Sequence, residues 1–279
     1  MFHTTAWVRD YEAARNPLME LFGQRILEDT RIENPQIARR GGMTWIGDNS
    51  IELGQPIVPG AAADRFVERH GPGMHSIALQ VEDVGATAEH ARAQGVRIID
   101  VNPGLAFCHP KDTGGVFVEW FSAEPDFDPR FGAAIPPGVD QPAVTVERMA
   151  FAGAVVDDPI ELAQKLAALF GTEVTFSDED APAGAPVAGV SLVDNILALY
   201  RFPGEQSLAL WGAELREPKV HVMGLSVPDL ADARSALLAR GVTEVRSDAH
   251  MMVVSPASTG HVPVVVTDEL FPGDPRLVA

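Results

Sequence analysis

Apolar and polar positions in this chain follow two alternating periods. The stretch FHTTAWV (2–8) is typical of a strand and runs into Asp10, a good helix N-cap, after which helical spacing continues to Gly23. After further strand-like stretches, MHSIALQV (74–81) runs into Asp83, where a second helical pattern begins. The pattern predicts a unit of one strand, one helix and three strands, repeated within a domain. Such units form a mainly antiparallel sheet with helices on one face, an α+β arrangement.

The whole pattern then recurs along the chain. Residues 81–96 resemble 227–242, and residues 111–120 resemble 257–266, in both cases at an offset of 146 positions. A fixed offset over separate segments is the signature of duplication. The sequence therefore predicts two copies of one domain.

The predicted domain limits follow from composition. Residues 124–147 are rich in Pro and Gly and lack an apolar period, which is typical of a linker. We expect a first domain at 1–123 and a second at 148–279.

Composition narrows the class of protein. The 279 residues carry a net charge of −18, which disfavours binding to nucleic acid or to an anionic membrane. No apolar run approaches the roughly 20 residues of a membrane span, and the first residues do not resemble a signal peptide. A lone cysteine, Cys108, fits a reducing compartment. We expect a cytoplasmic protein that acts on a small molecule, as a monomer or a homodimer.

Three stretches resemble a known family. FCHPKDTGGVFVEWFS (107–122) is similar to the closing segment of methylmalonyl-CoA epimerases, and GPGMHSIALQVEDV (71–84) and DNSIELGQPI (48–57) are similar to two further parts of them. The chain thus resembles the vicinal oxygen chelate superfamily, which includes glyoxalase I, these epimerases, extradiol dioxygenases and antibiotic-resistance proteins. The resemblance implies tandem domains, each made of two βαβββ modules that form a cupped, mainly antiparallel sheet around a divalent metal.

Three metal ligands are implied by this resemblance. They are His3, Glu52 and Glu119, one on each of three strands. Alternation along the strands agrees for the glutamates, because each lies between two apolar residues and so points away from the core. The alternatives are half-exposed edge positions for the glutamates and a frayed terminus for His3.

A further ligand position is ambiguous. Many epimerases have two consecutive histidines there and use the second, whereas this chain has His75 followed by Ser76. Strict alternation turns Ser76 and Gln80 toward the cup and His75 toward the core, and His221 takes the matching place in the second copy. A one-residue bulge would turn His75 inward, so His75 is kept as a tentative ligand.

Other residues are candidates for the wall of the pocket. They are Trp7, Trp45, Ser76, Gln80, Phe107, His109 and Lys111. Plain core packing is the alternative for the aromatic residues, and a solvated loop is the alternative for Lys111.

The second copy lacks the ligands. Phe151, Ala198, Val265 and Val222 stand at the positions of His3, Glu52, Glu119 and Ser76. We therefore expect 148–279 to be a degenerate domain without metal.

The implied chemistry is metal-assisted proton transfer. One histidine and two carboxylates suit Mn, Co, Ni, Zn or Mg, and Glu52 or Glu119 would act as catalytic acid or base. We expect a metal-dependent isomerase or epimerase, or a glyoxalase-type lyase, acting on a small carbonyl or acyl-thioester substrate through an enolate. The alternatives are a non-catalytic binding protein and an Fe(II) extradiol-type dioxygenase that uses His3, His75 and Glu119.

Overall fold

The computed structural model describes residues 1, 3–27, 30–32, 39–102, 104–274 and 277. The elements of the first half are β1 (His3–Trp7), α1 (Tyr11–Phe22), β2 (Arg25–Ile26), β3 (Thr30–Ile32), β4 (Arg39–Ile46), β5 (Asn49–Pro56), α2 (Ala62–His70), β6 (Gly73–Gln80), α3 (Val84–Ala93), β7 (Ile98–Asn102), β8 (Leu105–Cys108) and β9 (Phe117–Phe121). Those of the second half are β10 (Arg148–Val156), α4 (Pro159–Phe170), β11 (Val174–Ser177), β12 (Pro186–Ser191), β13 (Ile196–Arg201), α5 (Ser207–Trp211), β14 (Lys219–Ser226), α6 (Leu230–Ala239), β15 (Glu244–Ser247), β16 (Met251–Val254) and β17 (Val264–Thr267). Short 3-10 helices lie at Pro110–Asp112, Pro129–Phe131, Gly204–Gln206 and Pro256–Thr259.

Each half forms one sheet, and the two sheets have the same topology. The strand order is β2-β4-β5-β1-β6-β9-β8-β7 in the first, with β3 also paired to β4, and β11-β12-β13-β10-β14-β17-β16-β15 in the second. In the first sheet β1 pairs with β5 and β6 pairs with β9 in parallel, and the other described pairs are antiparallel. Two βαβββ modules therefore meet at β1 and β6. The predicted fold class is confirmed.

The predicted helix boundaries have ordinary capping contacts. Asp10 accepts a hydrogen bond from the backbone N–H of Ala13, and α1 ends at Gly23, whose φ of 68° is left-handed. Asp83 caps α3 in the same way through Ala86. These local signals set where both helices begin and where α1 ends.

One apolar core joins the two halves. Helices α1, α3, α4 and α6 contribute Leu18, Ala88, Leu166 and Leu237 to it, together with the helix-facing side chains of both sheets. The opposite face of each sheet carries separate clusters of buried side chains. Each half therefore has a cup that opens away from the shared core.

Two glycines mark matching contacts between the halves. A Cβ at Gly114 would lie 2.6 Å from the Leu162 side chain of α4, and a Cβ at Gly260 would lie 2.3 Å from Ala14 of α1. Both glycines have positive φ, at 61° and 59°. Each half thus fits a tight glycine turn against the first helix of the other half.

The segment between the sheets is more than a connection. Phe127 and Phe131 pack against Met43 and Ala78 on the cup side of the first sheet. The predicted domain limits at 1–123 and 148–279 stay predictions. None of the described helices is both long and apolar enough to cross a membrane.

Candidate active site

Strand register arranges the floor of the first cup in two rows. One row runs across the strands through Trp45, Ser50, His3, Ala78, Glu119 and Phe107. The other runs through Met43, Glu52, Thr5, Ser76 and Phe117. Neighbours within a row are about 4.8 Å apart, as in any sheet. The fold therefore brings His3, Glu52, Ser76 and Glu119 onto one face, as alternation predicts.

Glu52 is the centre of a polar cluster. Its Oε1 lies 2.5 Å from Nη2 of Arg39, and its Oε2 lies 3.7 Å from Nε2 of His3. The hydroxyl of Thr5 donates a hydrogen bond to Oε2 at 3.0 Å. Burial alone would raise the pKa of Glu52, but Arg39, His3 and the Thr5 hydrogen bond outweigh burial and lower it. Glu52 is therefore an ionised carboxylate.

Arg39 was not among the predicted site residues. It is in phase with Met43 and Trp45 on β4, which is the signal that could have identified it. Its Nη1 donates a hydrogen bond to the Gly41 carbonyl at 3.0 Å. Its Nε is buried and has no acceptor in the described part of the chain.

A glycine makes room for this arginine. A Cβ at Gly54 would lie 2.4 Å from the Trp7 ring and 2.9 Å from Cδ of Arg39. Both contacts are shorter than real Cβ contacts, so any larger residue at Gly54 would displace the ring or the arginine. The bare backbone at this position is what lets Arg39 reach back over β5 to Glu52.

Glu119 lies in a different environment. It is half-buried, and none of the described residues gives its carboxyl a hydrogen bond or an ion pair. Burial raises its pKa to about 8, the negative charge of Glu52 adds to this, and Arg39 opposes it. The cup therefore holds two carboxyl groups whose environments drive their pKa values apart, a pattern associated with acid–base chemistry.

His75 faces the cup, which corrects the strict alternation argument. Thr5 pairs with Ser76 while Ala6 pairs with Met74, so His75 is the extra residue of a β-bulge. Its ring lies edge-on to the rings of Phe66 and Phe117, at centroid distances of 4.6 and 4.7 Å. The bulge puts both His75 and Ser76 on the cup side.

Both histidines of the cup are neutral. Burial lowers the pKa of His3 to about 4 and that of His75 to about 3, against the opposing effect of Glu52. Nδ1 of His75 lies 3.1 Å from the Ser76 hydroxyl, within hydrogen-bond distance. The ring of Trp7 is 6.0 Å from that of His75. His75 therefore belongs to an aromatic wall formed with Trp7, Phe66 and Phe117.

The predicted pocket residues divide into two groups. Trp7, Trp45, Ser76 and Phe107 face the cup; Phe107 stacks on Phe117 at 5.5 Å, and the Arg130 guanidinium lies 5.5 Å from the Trp45 ring.

The other three lie elsewhere. Gln80 is exposed and lines a cavity of about 660 Å³ between the two halves. His109 caps the 3-10 helix Pro110–Asp112, its Nδ1 accepting a hydrogen bond from the Lys111 backbone, and the Lys111 side chain is exposed. The prediction that these three residues line the pocket does not match their positions. His109 and Lys111 lie beyond the end of β8, where strand alternation no longer sets the direction of a side chain.

The predicted metal centre does not fit these side chains as they lie. Within the described ranges, no three His, Cys, Asp or Glu side chains form a group that could hold a metal ion. Ser76 stands where the resemblance places a histidine, and Glu52 is paired with Arg39. A divalent ion bound about 5 Å from the Arg39 charge would be repelled by about 7 kcal/mol at an effective dielectric constant of about 20, which offsets its attraction to the Glu52 carboxylate at a similar distance. We therefore derive no catalytic step through a metal.

The second cup has the same register but different contents. Phe151 pairs with Ile196, as His3 pairs with Ser50 in the first cup. Gly153 pairs with Ala198, as Thr5 pairs with Glu52. Its floor and walls are filled by apolar side chains, including Phe151, Tyr200, Trp211, Val265 and Phe271. Phe151, Ala198 and Val265 thus stand in this cup where the first cup has His3, Glu52 and Glu119.

His221 also lies in a bulge. Gly153 pairs with Val222 while Ala154 pairs with Val220, so the extra residue recurs at the place of His75. The His221 ring lies edge-on to Trp211 at 5.0 Å. The match with His221 therefore gives no support to a His75 that points toward the core, because the strand bulges at the same place in both copies.

Comparison with known proteins agrees with this architecture. A family model for the Glyoxalase/Bleomycin resistance protein/Dioxygenase superfamily matches residues 2–108. A mutant of 4-hydroxymandelate synthase from Streptomyces coelicolor superposes with a TM-score of 0.66 at 15% identity, covering 99% of this chain and 98% of that one. A xylose isomerase-like TIM barrel/4-hydroxyphenylpyruvate dioxygenase fusion protein superposes with a TM-score of 0.59 at 14% identity, covering 95% of this chain and 48% of that one. At these identities the likeness shows the fold alone.

One curated protein is related in sequence. The mitochondrial methylmalonyl-CoA epimerase of Dictyostelium discoideum is 32% identical over 80 residues, which are 26% of this chain and 48% of the epimerase. The chain thus spans about half the length of this relative. Residues 2–108 match the model of the Glyoxalase/Bleomycin resistance protein/Dioxygenase superfamily, and the first half is similar to a methylmalonyl-CoA epimerase, so the predicted resemblance is confirmed.

Proposed function

We propose that this chain is an isomerase or epimerase that moves a proton on the carbon next to a carbonyl or acyl-thioester group. The observation that carries the proposal is the arrangement of the first cup. An unpartnered Glu119 carboxyl lies on the same floor as the Arg39–Glu52 ion pair, beside an aromatic wall. The Glu52 side chain is 18% exposed and Glu119 is half-buried, so a small molecule can reach both.

Glu119 is the residue proposed to exchange the proton. Its ionised form takes the proton from the substrate carbon, and the electron pair of the broken C–H bond moves onto the carbonyl oxygen as an enolate. The protonated carboxyl then returns a proton to carbon, to the opposite face once the planar enolate has turned over in the cup, and the carbonyl is restored. A pKa of about 8 lets both forms of Glu119 exist near neutral pH, which favours this role.

The proposed substrate is a small acyl thioester or 2-substituted carbonyl compound. Methylmalonyl-CoA is the first candidate, because the relative in sequence is a methylmalonyl-CoA epimerase. The rings of Trp7, Phe66, Phe107 and Phe117 provide an apolar surface for the acyl chain. The glyoxalase-type lyase and the epimerase share the same proton transfer, so both reactions belong to this proposal.

A binding protein without catalysis is the second candidate. It is favoured by Ser76 at the place of a ligand histidine and by the filled second cup. The dioxygenase alternative needs His3, His75 and Glu119 around one ion. The bulge turns His75 inward as that alternative requires, but His75 packs among aromatic rings, and no described group of side chains could hold the ion.

Exchange of the substrate proton with solvent tests the proposal. The protein is incubated in D2O with methylmalonyl-CoA and with simple 2-substituted acyl thioesters, and loss of the proton signal is followed by NMR. We expect exchange with the wild type and at least about a hundredfold slower exchange with Glu119→Gln, the loss typical of a removed acid–base group. Glu124→Gln is the matched control, since Glu124 is exposed and lies outside the cup. Saturable binding without exchange would select the binding protein instead.

A further inference from the structure

We infer that the Arg39 guanidinium takes the place of the divalent cation in the first cup and binds an anionic oxygen of the substrate, a carboxylate or an enolate. This deepens the proposed function and rests on it only for the identity of the anion. The site needs no metal on this account.

The contacts of Arg39 with the described residues leave its Nε without a partner. Nη2 binds Glu52 and Nη1 binds the Gly41 carbonyl, whereas Nε is buried without an acceptor in the described part of the chain. A buried guanidinium N–H without a partner is costly unless something binds it. The planar fork of arginine is suited to oxygen anions. An anionic oxygen that enters the cup would supply the missing acceptor.

Arg39 also supplies a positive charge in this cup, as a bound cation would. It neutralises Glu52 at 2.5 Å and lies close enough to Glu119 to act on its charge. The neutral His3 is next to the same pair, with Nε2 at 3.7 Å from Glu52. A positive charge is therefore held among the residues that the resemblance assigns to a metal.

The second copy shows that the arginine and the carboxylate are absent together. Ala198 stands at the place of Glu52, and residues 176–191, which include β12 and the place of Arg39 before it, contain no arginine. Tyr200 stands at the place of Gly54, because it lies two residues after Ala198 on β13, as Gly54 lies two residues after Glu52 on β5. The space that Gly54 leaves for Arg39 is therefore filled in the copy that has neither charge.

A metal titration of four proteins tests the first half of the inference. They are the wild type, Arg39→Met, Ser76→His and the double variant, each titrated with Co²⁺ and read by its visible absorption. We expect weak Co²⁺ binding by the wild type and by Ser76→His. The double variant, which loses the repelling charge and gains a histidine, should bind at least about 100-fold more tightly. Tight binding of one Co²⁺ by the wild type, or a double variant no better than the wild type, would overturn the inference.

Two further variants serve as controls for the charge and the position of the arginine. Arg39→Lys keeps the positive charge and should exclude Co²⁺ as the wild type does. Arg40→Gln changes the adjacent arginine, which pairs with Glu12 of α1 instead of with the cup, and should leave Co²⁺ binding unchanged. Each protein is first checked by thermal melting. If Arg39→Lys binds Co²⁺ tightly, the charge of Arg39 is not what keeps the cation out, and the inference fails.

An anion titration tests the second half. Malonate is the probe, neutral malonamide is the control, and the fluorescence of the cup residues Trp7 and Trp45 is the signal. We expect malonate to bind the wild type, and Arg39→Gln to bind it at least about tenfold more weakly, a loss of about 1.4 kcal/mol. Equal binding by the two proteins, or equal binding of malonamide, would overturn the inference.

The tests separate this inference from the proposed reaction. Arg39-dependent malonate binding without proton exchange would remove the reaction and leave the anion site. Proton exchange that needs Co²⁺ and persists in Arg39→Gln would overturn the anion site at Arg39 and leave the proposed reaction.

Discussion

The two cups have one backbone and opposite contents. His3, Glu52 and Gly54 of the first are matched in register by Phe151, Ala198 and Tyr200 of the second. In the second cup a Cβ at Gly224, the counterpart of Ala78, would lie 2.1 Å from the Phe151 ring, so that ring occupies the floor. The second sheet folds with uncharged side chains at the positions of His3 and Glu52. The buried charges of the first cup are therefore not needed for folding, which favours a functional reason for them.

The β-bulge, in contrast to the side chains of the cups, is common to both halves. It occurs at His75 and at His221, in a cup with charges and in a cup without them. It is thus a property of the sheet at the junction of the two modules. The inward histidine alone does not identify a site.

The largest expected effect comes from placing a charge in the filled cup. Ala198→Glu puts a carboxyl among the buried side chains of Phe151, Tyr200 and Val222, and should destabilise the protein by more than about 4 kcal/mol. Urea unfolding followed by fluorescence measures it, with the exposed Ala123→Glu as control. A loss below about 1 kcal/mol would show that the second cup can admit a charge, and the contrast between the cups would then be superficial.

A smaller loss of stability is expected when histidine, the first-cup residue at the His3 position, replaces Phe151. Phe151→His removes a fully buried ring that packs against Gly224 and Phe271, and should cost about 2–4 kcal/mol, slightly below a truncation to alanine. The exposed Leu208→His, measured by the same urea titration, should change the unfolding midpoint very little. Equal midpoints for the two variants would mean that the aromatic filling does not hold the second cup together.

Glu119 should make the stability of the first half depend on pH. Its folded pKa of about 8 exceeds the value of about 4.3 in an unfolded chain, so between these values the folded state binds more protons. Stability due to Glu119 is present below about pH 4 and is lost as the pH rises through 8.

Glu119→Gln cannot titrate and should therefore gain on the wild type over that window, by about 2 kcal/mol or more at pH 9 relative to pH 5. Urea midpoints at a series of pH values measure this difference, and Val265→Gln, at the matching place in the second cup, should show no such pH dependence. A pH-independent difference between Glu119→Gln and the wild type would contradict the buried, proton-holding carboxyl.

The smallest effect concerns a contact that the copies share. Asp112 accepts a hydrogen bond from the Arg97 backbone, and Ser258 accepts one from the Thr243 backbone at the matching place. Asp112→Ser should therefore shift the melting temperature by no more than about 2 °C, since the exposed ion pair with Arg97 adds little. Calorimetry of this variant, beside Ser258→Asp, checks it; a larger shift would mean that the copies differ outside their cups as well.

Local patterns were enough for most of the fold. Asp10, Gly23 and Asp83 predicted the helix boundaries because capping depends on neighbouring residues. Alternation placed Glu52, Ser76 and Glu119 on one face because side-chain direction repeats every two residues. His109 and Lys111 were misplaced because alternation ends where the strand ends.

Sequence by itself determined the duplication, the α+β fold, the resemblance to the superfamily and the shared face of Glu52, Ser76 and Glu119. Only the tertiary structure decided that His75 turns inward, that Arg39 pairs with Glu52, and that the second cup is filled. Periodicity and capping are carried by residues close together in the chain. A bulge and a buried ion pair depend instead on which distant strands meet and on the space that a residue such as Gly54 leaves between them.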